Sequence, residues 1–133
     1  MEQTLAIVKP NLVKRKLLGR ILTIIEEDGF DIKDARLKQL TQNEAEGFYA
    51  EHKQRPFFTS LVKFMTSGPV FLMVLETPSA VEKWRNLMGA TDPAKAAPHT
   101  IRRLYGESIE ANGVHGSDSQ ISAEREIRFF FGS

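Results

Sequence analysis

One histidine lies among small residues near the end of the chain, in the stretch Asn112-Gly113-Val114-His115-Gly116-Ser117-Asp118. Glycine on both sides permits a tight turn and a close approach of substrate, and nothing bulky surrounds the ring in sequence. A neutral imidazole can attack phosphorus and hold the phosphoryl group covalently, provided that its other nitrogen is hydrogen-bonded. A plain surface turn remains the alternative, because Asn-Gly and Ser-Asp are common turn residues.

Candidate phosphate-binding cations come from three separate segments of the chain, at Lys9, Arg85 and Arg102. Arginine suits phosphate because its planar fork donates two hydrogen bonds at once. Phosphoryl transfer requires mainly alignment and charge neutralisation from the protein. Glu126 is the candidate partner for the second nitrogen of His115. These residues together are compatible with a phosphohistidine enzyme. The alternative is that each cation is simply a solvated side chain at the protein surface.

Other chemistries find less support in the sequence. There is no Gly-x-x-x-x-Gly-Lys-Ser/Thr motif and no Gly-x-Gly-x-x-Gly motif, so neither a P-loop nor a dinucleotide-binding loop is predicted. With no cysteine and three scattered histidines, a zinc site is not expected. Ser117, His115 and Asp118 are too close together in sequence to form a hydrolase triad.

Length and composition indicate a single domain over residues 1–133, with an ordinary globular content of 41% hydrophobic and 26% charged residues. The formal net charge of +1 argues against a dedicated binder of nucleic acid or of a membrane surface. No apolar run is long enough to span a bilayer, and Met1-Glu2-Gln3 leads directly into a strand-like segment without a signal peptide. We therefore expect a cytoplasmic protein.

The elements that must position these residues follow from the apolar patterns. Strands are predicted at Thr4–Val8, Phe30–Leu40, Val70–Leu75 and around His115, with Ala35 and Leu37 on one face of the second. Helical spacing links Leu18 to Ile25, Phe57 to Met65 and Trp84 to Met88. The order βαββαβ predicts an α+β, ferredoxin-like fold, with a four-stranded antiparallel sheet and helices on one face.

Helix starts are predicted from capping residues. Thr41 with Glu44, and Ser79 with Glu82, have the spacing of capping boxes, and Ser122 is predicted to cap the last helix. Tyr49 and His52 are three residues apart and are predicted to share one helical face. Residues 90–111 show little periodicity and are predicted to form a long loop.

Taken together, the motifs closely resemble those of nucleoside diphosphate kinases of the bacterial type, over essentially the full length. The family's Asn-x-x-His-Gly-Ser-Asp signature is matched at residues 112–118 and is highly specific. Further matches, in the same order, are Lys9-Pro10, Phe48-Tyr49-Ala50-Glu51-His52, Arg55-Pro56-Phe57-Phe58, Met65-Thr66-Ser67-Gly68-Pro69, Gly89-Ala90-Thr91-Asp92-Pro93 and Thr100-Ile101-Arg102.

The resemblance implies transfer of the γ-phosphate of a nucleoside triphosphate, usually ATP, to a nucleoside diphosphate through a phosphohistidine, in a ping-pong reaction. By position, His115 is the expected nucleophile, Glu126 its carboxylate partner and Ser117 the support of that carboxylate, while Tyr49 lines the histidine pocket. The resemblance also implies Mg²⁺ as cofactor, bridging phosphate oxygens and not held in a protein cage.

The resemblance assigns the nucleotide contacts as well. Phe57 is expected to stack on the base, with Leu61 and Ile109 completing an apolar slot that tolerates many bases. Lys9 and Asn112 are expected to reach the ribose hydroxyls. The expected phosphate contacts are His52, Arg85, Thr91 and Arg102.

Three features depart from the family pattern. Asn11 stands where the family usually has Asp after Lys-Pro. Around the Thr-Ile-Arg motif the family favours Gly before it and Gly-Asp after it, whereas this chain has His99 before it and Arg103-Leu104 after it. The sequence stops soon after Phe129-Phe130-Phe131, where relatives have a longer tail. Because that loop and tail take part in subunit packing in the family, a homo-oligomer is expected, with a tetramer or hexamer favoured and a dimer left open.

The main alternative is a non-catalytic, ferredoxin-like module that binds nucleotides or single-stranded RNA on sheet aromatics. The near-neutral charge disfavours it, and so does the placement of the aromatic residues in helices and at Phe129-Phe130-Phe131. Neither stable binding of nucleic acid nor a membrane association is expected.

Overall fold

A computed structural model describes residues 1–132 and contains one four-stranded antiparallel sheet. The strands are β1 (Glu2–Val8), β2 (Asp31–Lys38), β3 (Val70–Thr77) and β4 (Val114–Gly116), in the spatial order β2-β3-β1-β4. Both central strands are mostly buried, whereas β2 lies at an edge. The predicted α+β class and the βαββαβ order are confirmed.

Seven α-helices connect and cover the strands within the described residues. Two of them, α1 and α6, are absent from the sequence prediction, because each has five residues and is too short to show an apolar period. α6 lies within residues 90–111, so this segment is not the uniform loop that the lack of periodicity predicts. The helices are α1 (Pro10–Lys14), α2 (Leu18–Glu27), α3 (Gln42–Phe48), α4 (Phe58–Met65), α5 (Ala80–Met88), α6 (Ile101–Tyr105) and α7 (Gln120–Phe131).

Helices cover both faces of the sheet, so the prediction of helices on one face is wrong. Ala6 and Val8 of β1 pack in a cluster with residues of α2 and α5. Their neighbours Leu5 and Ile7 point the other way, into a cluster with residues of α3, α4 and α7. Successive side chains of a strand point to opposite faces, so the unbroken apolar run of β1 requires cover on both sides.

The first predicted capping box is present. The Thr41 backbone N–H donates to the Glu44 carboxylate at 2.9 Å, and the Glu44 N–H donates to the Thr41 hydroxyl at 3.1 Å. The box at Ser79 is wrong, because Ser79 has a left-handed backbone (φ 54°) and makes no side-chain cap. Instead, the carboxylate of Glu2, from the start of β1, accepts from the Val81 N–H at 2.8 Å.

The last helix begins earlier than predicted. Ser119, not Ser122, is the N-cap of α7, and its hydroxyl accepts from the Ser122 N–H at 3.0 Å. The Ser122 hydroxyl instead donates to the Asp118 carboxylate at 2.6 Å. Side-chain hydrogen bonds from Asp118 and Ser119 to Ser122 therefore connect the turn after β4 to the first turn of α7.

The second predicted strand is present, but its apolar side is not buried. Ala35 and Leu37 share one face of β2 as predicted, yet both are exposed, and 59% of Leu37 is accessible. Edge strands are paired on one side only, so their side chains have fewer neighbours.

Gly116 allows β4 to lie directly against α5. A Cβ atom at this position would lie 2.5 Å from Trp84 Cδ1 and 2.6 Å from Met88 Cε, both in the buried core. We expect Gly116→Ala to lower the free energy of unfolding by about 1–3 kcal/mol, because the fully buried indole cannot move away.

Urea denaturation measures this effect, with Gly19→Ala as the matched control. Gly19 lies in the first turn of α2, and a methyl group added there would have no atom within 4 Å apart from its chain neighbours and the backbone of its own helix, so alanine is expected to raise stability by up to about 1 kcal/mol. Equal effects of the two substitutions would contradict the proposed contact.

Candidate active site

The His115 side chain is held by a carboxylate. His115 lies in β4 opposite Ile7 of β1, and its Nε2 is 2.9 Å from Glu126 Oε1. The Ser117 hydroxyl donates to the same oxygen at 2.9 Å and accepts from the Leu5 backbone N–H at 3.2 Å. Within residues 1–132, the ring's Nδ1 has no hydrogen-bond partner, so this nitrogen is available to a ligand.

The carboxylate comes from the buried face of α7. Ala123, Glu126 and Phe130 are the buried residues of this helix and recur at helical spacing, which directs the Glu126 side chain at the sheet. Only 5% of Glu126 is exposed. Its second oxygen, Oε2, is 3.6 Å from Arg125 Nη2, so a cation faces the side of the carboxylate away from His115.

Aromatic side chains enclose the histidine more closely than the sequence predicts. The Phe48 and Tyr49 rings lie 5.3 and 6.4 Å from the imidazole, measured between centroids, and Trp84 Nε1 donates to the His115 carbonyl at 3.1 Å. The His115 side chain is 19% exposed. The small neighbours in sequence therefore do not leave the ring uncrowded, because residues distant in sequence enclose it.

Tyr49 and His52 do not share a helical face, contrary to prediction. α3 ends at Phe48, Tyr49 follows as its C-cap, and His52 lies in a short 3₁₀ turn, Ala50–His52. The two rings are nevertheless 6.4 Å apart. The Tyr49 hydroxyl is buried without a partner among the described residues, and burial, with a contribution from Glu126, raises its pKa.

Lys9 and Asn112 form a buried polar pair. Lys9 Nζ donates to Asn112 Oδ1 at 2.9 Å, and Asn112 Nδ2 donates to the Thr91 carbonyl at 3.1 Å. Lys9 is 7% exposed and Asn112 2%. Burial, together with the nearby Arg102, lowers the pKa of Lys9 from 10.5 to about 7, against a smaller opposing effect of Glu110.

The Lys9 pKa makes stability depend on pH. Between pH 7 and 10.5 the unfolded chain binds more protons at Lys9 than the folded protein, so the unfavourable burial of this cation is relieved as pH rises. We expect the free energy of unfolding of the wild type to rise relative to Lys9→Met by up to about 1.4 kcal/mol per pH unit in this window.

Urea titrations of both proteins at pH 6, 8 and 9.5 measure the difference, because all other ionisable groups are common to the two chains. The lost hydrogen bond to Asn112 adds a constant offset. A difference that stays constant over the whole range would contradict the lowered pKa.

Arg102 is held by backbone carbonyls. Its Nη1 donates to the Gly89 carbonyl at 3.0 Å and its Nη2 to the Val114 carbonyl at 2.9 Å, directly before His115. Its buried Nε has no partner among the described residues. Burial and the nearby Arg85 lower the pKa of Arg102 to about 10, which leaves it cationic at neutral pH.

A cavity of about 820 Å³ brings together three of the predicted phosphate contacts, Arg85, Thr91 and Arg102. Asp118 and His99 also line it, and the sequence assigns neither of them to the site. Asp118 belongs to the signature, and the hydrogen bond from Ser122 is the main reason that its pKa is lowered. Arg85 and Arg102 supply donors for an anionic ligand, whereas Glu2 and Glu82 line the same cavity with negative charge and His115 is not among its lining residues.

The predicted base slot lies at the start of α4. Phe57 is 47% exposed and its ring is 5.6 Å from that of His52, whereas Leu61, one turn along, is largely buried. Ile109 is 61% exposed and comes from the segment after α6. The Ser60 hydroxyl donates to Glu110 at 3.0 Å and thereby joins this segment to α4.

Arg103 and Leu104, which depart from the family pattern after Arg102, differ in their contacts. Arg103 Nη1 donates to the Ala94 carbonyl at 3.0 Å, and Thr100 caps α6 by accepting from the Arg103 N–H at 3.4 Å. Leu104 is 52% exposed. Arg103 thus stabilises the turn before α6.

Neither a membrane span nor a protein-built metal cluster is found among the described residues. In residues 1–132 no helix is both long enough and apolar enough to cross a membrane. Over the same residues, no group of three or more His, Cys, Asp or Glu side chains is arranged to hold a metal ion.

A family model described as nucleoside diphosphate kinase matches residues 2–133. The chain belongs to the nucleoside diphosphate kinase family. It is 56% identical over 131 residues to the nucleoside diphosphate kinase of Wolinella succinogenes, which covers 98% of this chain and 96% of the relative. Its identity to the Bordetella pertussis enzyme is 53% over 131 residues, covering 98% and 93%.

A solved structure of a nucleoside diphosphate kinase also matches. The Halobacterium salinarum enzyme, determined in complex with CDP, superposes with a TM-score of 0.96 at 45% identity and covers 99% of this chain and 88% of that one. The ferredoxin-like fold is thereby confirmed.

As a nucleoside diphosphate kinase, the chain is a phosphotransferase that moves the γ-phosphate of a nucleoside triphosphate to a nucleoside diphosphate. Family membership supports this activity over the alternative of a non-catalytic binding module.

Besides Asp118 and His99, two residues of the candidate site are not assigned from the sequence. Trp84 holds the His115 carbonyl and Phe48 packs on the imidazole. Trp84 is the only tryptophan of the chain, and Phe48 directly precedes Tyr49 in a family motif. Both signals are visible in the sequence, but neither residue type indicates by itself which partner it meets.

Proposed function

We propose that His115 is the nucleophile of the kinase reaction and attacks through Nδ1. The observation that carries this proposal is the bond between His115 Nε2 and Glu126, because it retains the proton on Nε2 and leaves the Nδ1 lone pair free. Nδ1 forms a bond to the γ-phosphorus while the bond from that phosphorus to the bridging oxygen breaks. The nucleoside diphosphate leaves with the electron pair of that bond.

The second half-reaction reverses these steps with another nucleoside diphosphate. An oxygen of its β-phosphate attacks the phosphohistidine, the P–Nδ1 bond breaks, and the lone pair returns to Nδ1. The Glu126 side chain stabilises the positive charge that develops on the imidazole, while the Ser117 hydroxyl holds it in place. Both residues act through His115.

Phosphate binding is proposed for Arg85, Thr91, Arg102, His52 and Tyr49. Arg102 Nε and the Tyr49 hydroxyl support this, since both are buried donors without a partner in residues 1–132, and phosphate oxygens would satisfy them. Arg85, Thr91 and Arg102 line one cavity, and this shared lining supports the proposal that a chain of phosphates binds there.

The nucleoside is proposed to lie toward α4. Lys9 and Asn112 donate to the ribose hydroxyls, Phe57 stacks on the base, and Leu61 with Ile109 completes the apolar slot. The exposure of the Phe57 ring supports a stacking role, and stacking accepts any base because each has a π-face. The CDP complex of the Halobacterium salinarum relative supports nucleotide binding in this fold.

Mg²⁺ is proposed as the cofactor and enters as the complex with the nucleotide. The fit rests on the donor set, because a cavity lined by Arg85 and Arg102 suits the phosphates that carry the ion. When bound, Mg²⁺ neutralises phosphate charge and aligns the transferred group. The residues of this chain orient the phosphates and the histidine around it.

The domain organisation, location, oligomeric state and partners of the protein are proposals as well. We expect one catalytic domain over residues 1–133, acting in the cytoplasm as a homo-oligomer, with a tetramer or hexamer favoured over a dimer. Its partners are nucleoside diphosphates and triphosphates, and we expect neither stable binding of nucleic acid nor attachment to a membrane.

Brief incubation of the folded protein with ATP radiolabelled in the γ-phosphate, with Mg²⁺, tests the mechanism. The protein should gain a label that is labile to acid, that maps to the peptide containing His115 and that moves to nucleoside diphosphate added as a chase. A folded protein that transfers phosphate without a labelled intermediate would overturn the ping-pong route.

A further inference from the structure

The segment between α6 and β4 carries two of the residues proposed to contact the nucleoside, Ile109 and Asn112. It is a compact turn of its own, because the Glu107 N–H donates to the Ala111 carbonyl at 2.9 Å and the Ala111 N–H donates to the Ser108 hydroxyl at 3.0 Å. We call residues 106–113 the nucleoside loop.

Side chains of α1 and of its C-cap hold this loop from outside. The Asn11 amide nitrogen donates to Glu107 Oε2 at 2.8 Å and to the Ala111 carbonyl at 3.0 Å. Arg15 Nη1, one turn along the chain, donates to the Tyr105 carbonyl at 2.9 Å and lies 3.4 Å from the same Glu107 oxygen. One carboxylate therefore receives donors from both ends of this short helix.

The contact extends directly to the proposed ribose site. The Lys9 backbone N–H donates to the Gly113 carbonyl at 2.8 Å, and its ammonium group donates to Asn112. Residues 9–15 and the nucleoside loop thus form one hydrogen-bonded unit, so displacing the loop from α1 would displace Asn112 from Lys9.

Asn11 contacts Glu107 directly across this interface. Both groups that its amide nitrogen contacts are acceptors, a carboxylate and a carbonyl, so a carboxylate at position 11 could donate to neither. It would also place a second negative charge beside Glu107, with Arg15 as the one cation within residues 1–132 that already contacts that carboxylate. Glu107 and Asn11 are therefore matched to each other in this chain.

We propose that Asn11, Arg15 and Glu107 form a clasp that sets the position of the nucleoside loop and thereby the affinity for the nucleoside. All three are positioning residues, because none is proposed to touch the nucleotide or His115. The inference rests on the proposed placement of ribose and base beside this loop. It predicts an effect on KM and not on the chemistry at the histidine.

A double-mutant cycle tests the clasp. Asn11→Asp is expected to raise the KM for the acceptor nucleoside diphosphate about tenfold, with kcat and the stoichiometry of phosphohistidine within about twofold of the wild type. Glu107→Gln should raise KM about two- to threefold, because an uncharged acceptor remains. In the double variant the new amide at position 107 can donate to the new carboxylate at position 11, so KM should fall below that of Asn11→Asp alone.

Asn43→Asp is the matched control, since it adds the same charge at an exposed position of α3 far from the clasp in sequence. Hydrogen exchange at the Glu107 and Ala111 amides gives a readout that does not depend on activity. Both amides should exchange faster in Asn11→Asp and recover in the double variant. Arg15→Gln, an exposed substitution, provides a second route if Asn11→Asp does not fold.

The outcomes separate the two proposals. If the exchange rates change as expected but KM does not, the clasp holds the loop without setting affinity, and the inference is overturned. Additive effects of the two substitutions on KM would overturn it as well. A wild type without a labelled intermediate would instead contradict the proposed mechanism, while the exchange experiment would still report on the clasp.

Discussion

His115→Gln is expected to abolish the labelled phosphoenzyme and to lower the rate of phosphate transfer on the order of 10⁴- to 10⁶-fold. The physical reason is that a glutamine amide has no nucleophilic lone pair comparable to that of Nδ1. Its NH₂ group can still donate to Glu126, so the fold and the hydrogen bond to the carboxylate can survive. Single-turnover labelling with ATP and Mg²⁺ measures the loss.

The other two histidines of the chain supply the controls. His99→Gln changes an exposed ring at the cavity rim and should leave a fully labelled protein. His52→Gln should weaken nucleotide binding, yet it should give full labelling at saturating ATP. Retention of the label in folded His115→Gln, or its loss in His99→Gln, would place the nucleophile elsewhere.

Glu126→Gln is expected to slow phosphoenzyme formation about 10²- to 10⁴-fold with little change in KM for ATP. The substitution removes the charge that stabilises the developing imidazolium. It also removes the tautomer preference, because an amide at position 126 can donate to Nε2 and thereby favour the proton on Nδ1, where it blocks attack. In that orientation the amide nitrogen takes the place of Oε1, so the Ser117 hydroxyl would accept from it and no longer donate, while the side chain keeps its size.

Rapid-quench labelling of Glu126→Gln, compared with Glu124→Gln, isolates this effect. Glu124 lies on the same helix but is exposed, so its substitution should leave the labelling rate within about twofold of the wild type. If both variants label at the same rate, Glu126 does not orient His115 during catalysis.

Local interactions account for what could be predicted about the fold. The Thr41–Glu44 box joins residues three positions apart, and the runs of β1 and β3 are apolar along most of their length, so both follow from spacing alone. The box at Ser79 has the same spacing and fails, because the Glu2 carboxylate from a distant strand occupies the end of α5. Spacing does not reveal such a competitor.

In the candidate site, too, the sequence predicts some features and only the structure shows the others. The signature around His115, together with its resemblance to a family, predicts the residues of the site, and the comparisons confirm the family. The structure then brings Glu126, Ser117 and His115 within hydrogen-bond distance, and it leaves Arg102 Nε and the Tyr49 hydroxyl as buried donors without partners in the described chain. Burial and orphaned donors depend on the whole packing, which spacing does not record.

By itself, the sequence determined the residue types available for chemistry, the order of strands along the chain and the family. Only the tertiary structure decided that Nε2 of His115 meets Glu126, that helices cover both faces and that Asn11 meets Glu107. The reason is register. β4 pairs with β1 across more than 100 residues of chain, and a slip of one residue would turn His115 to the opposite face of the sheet.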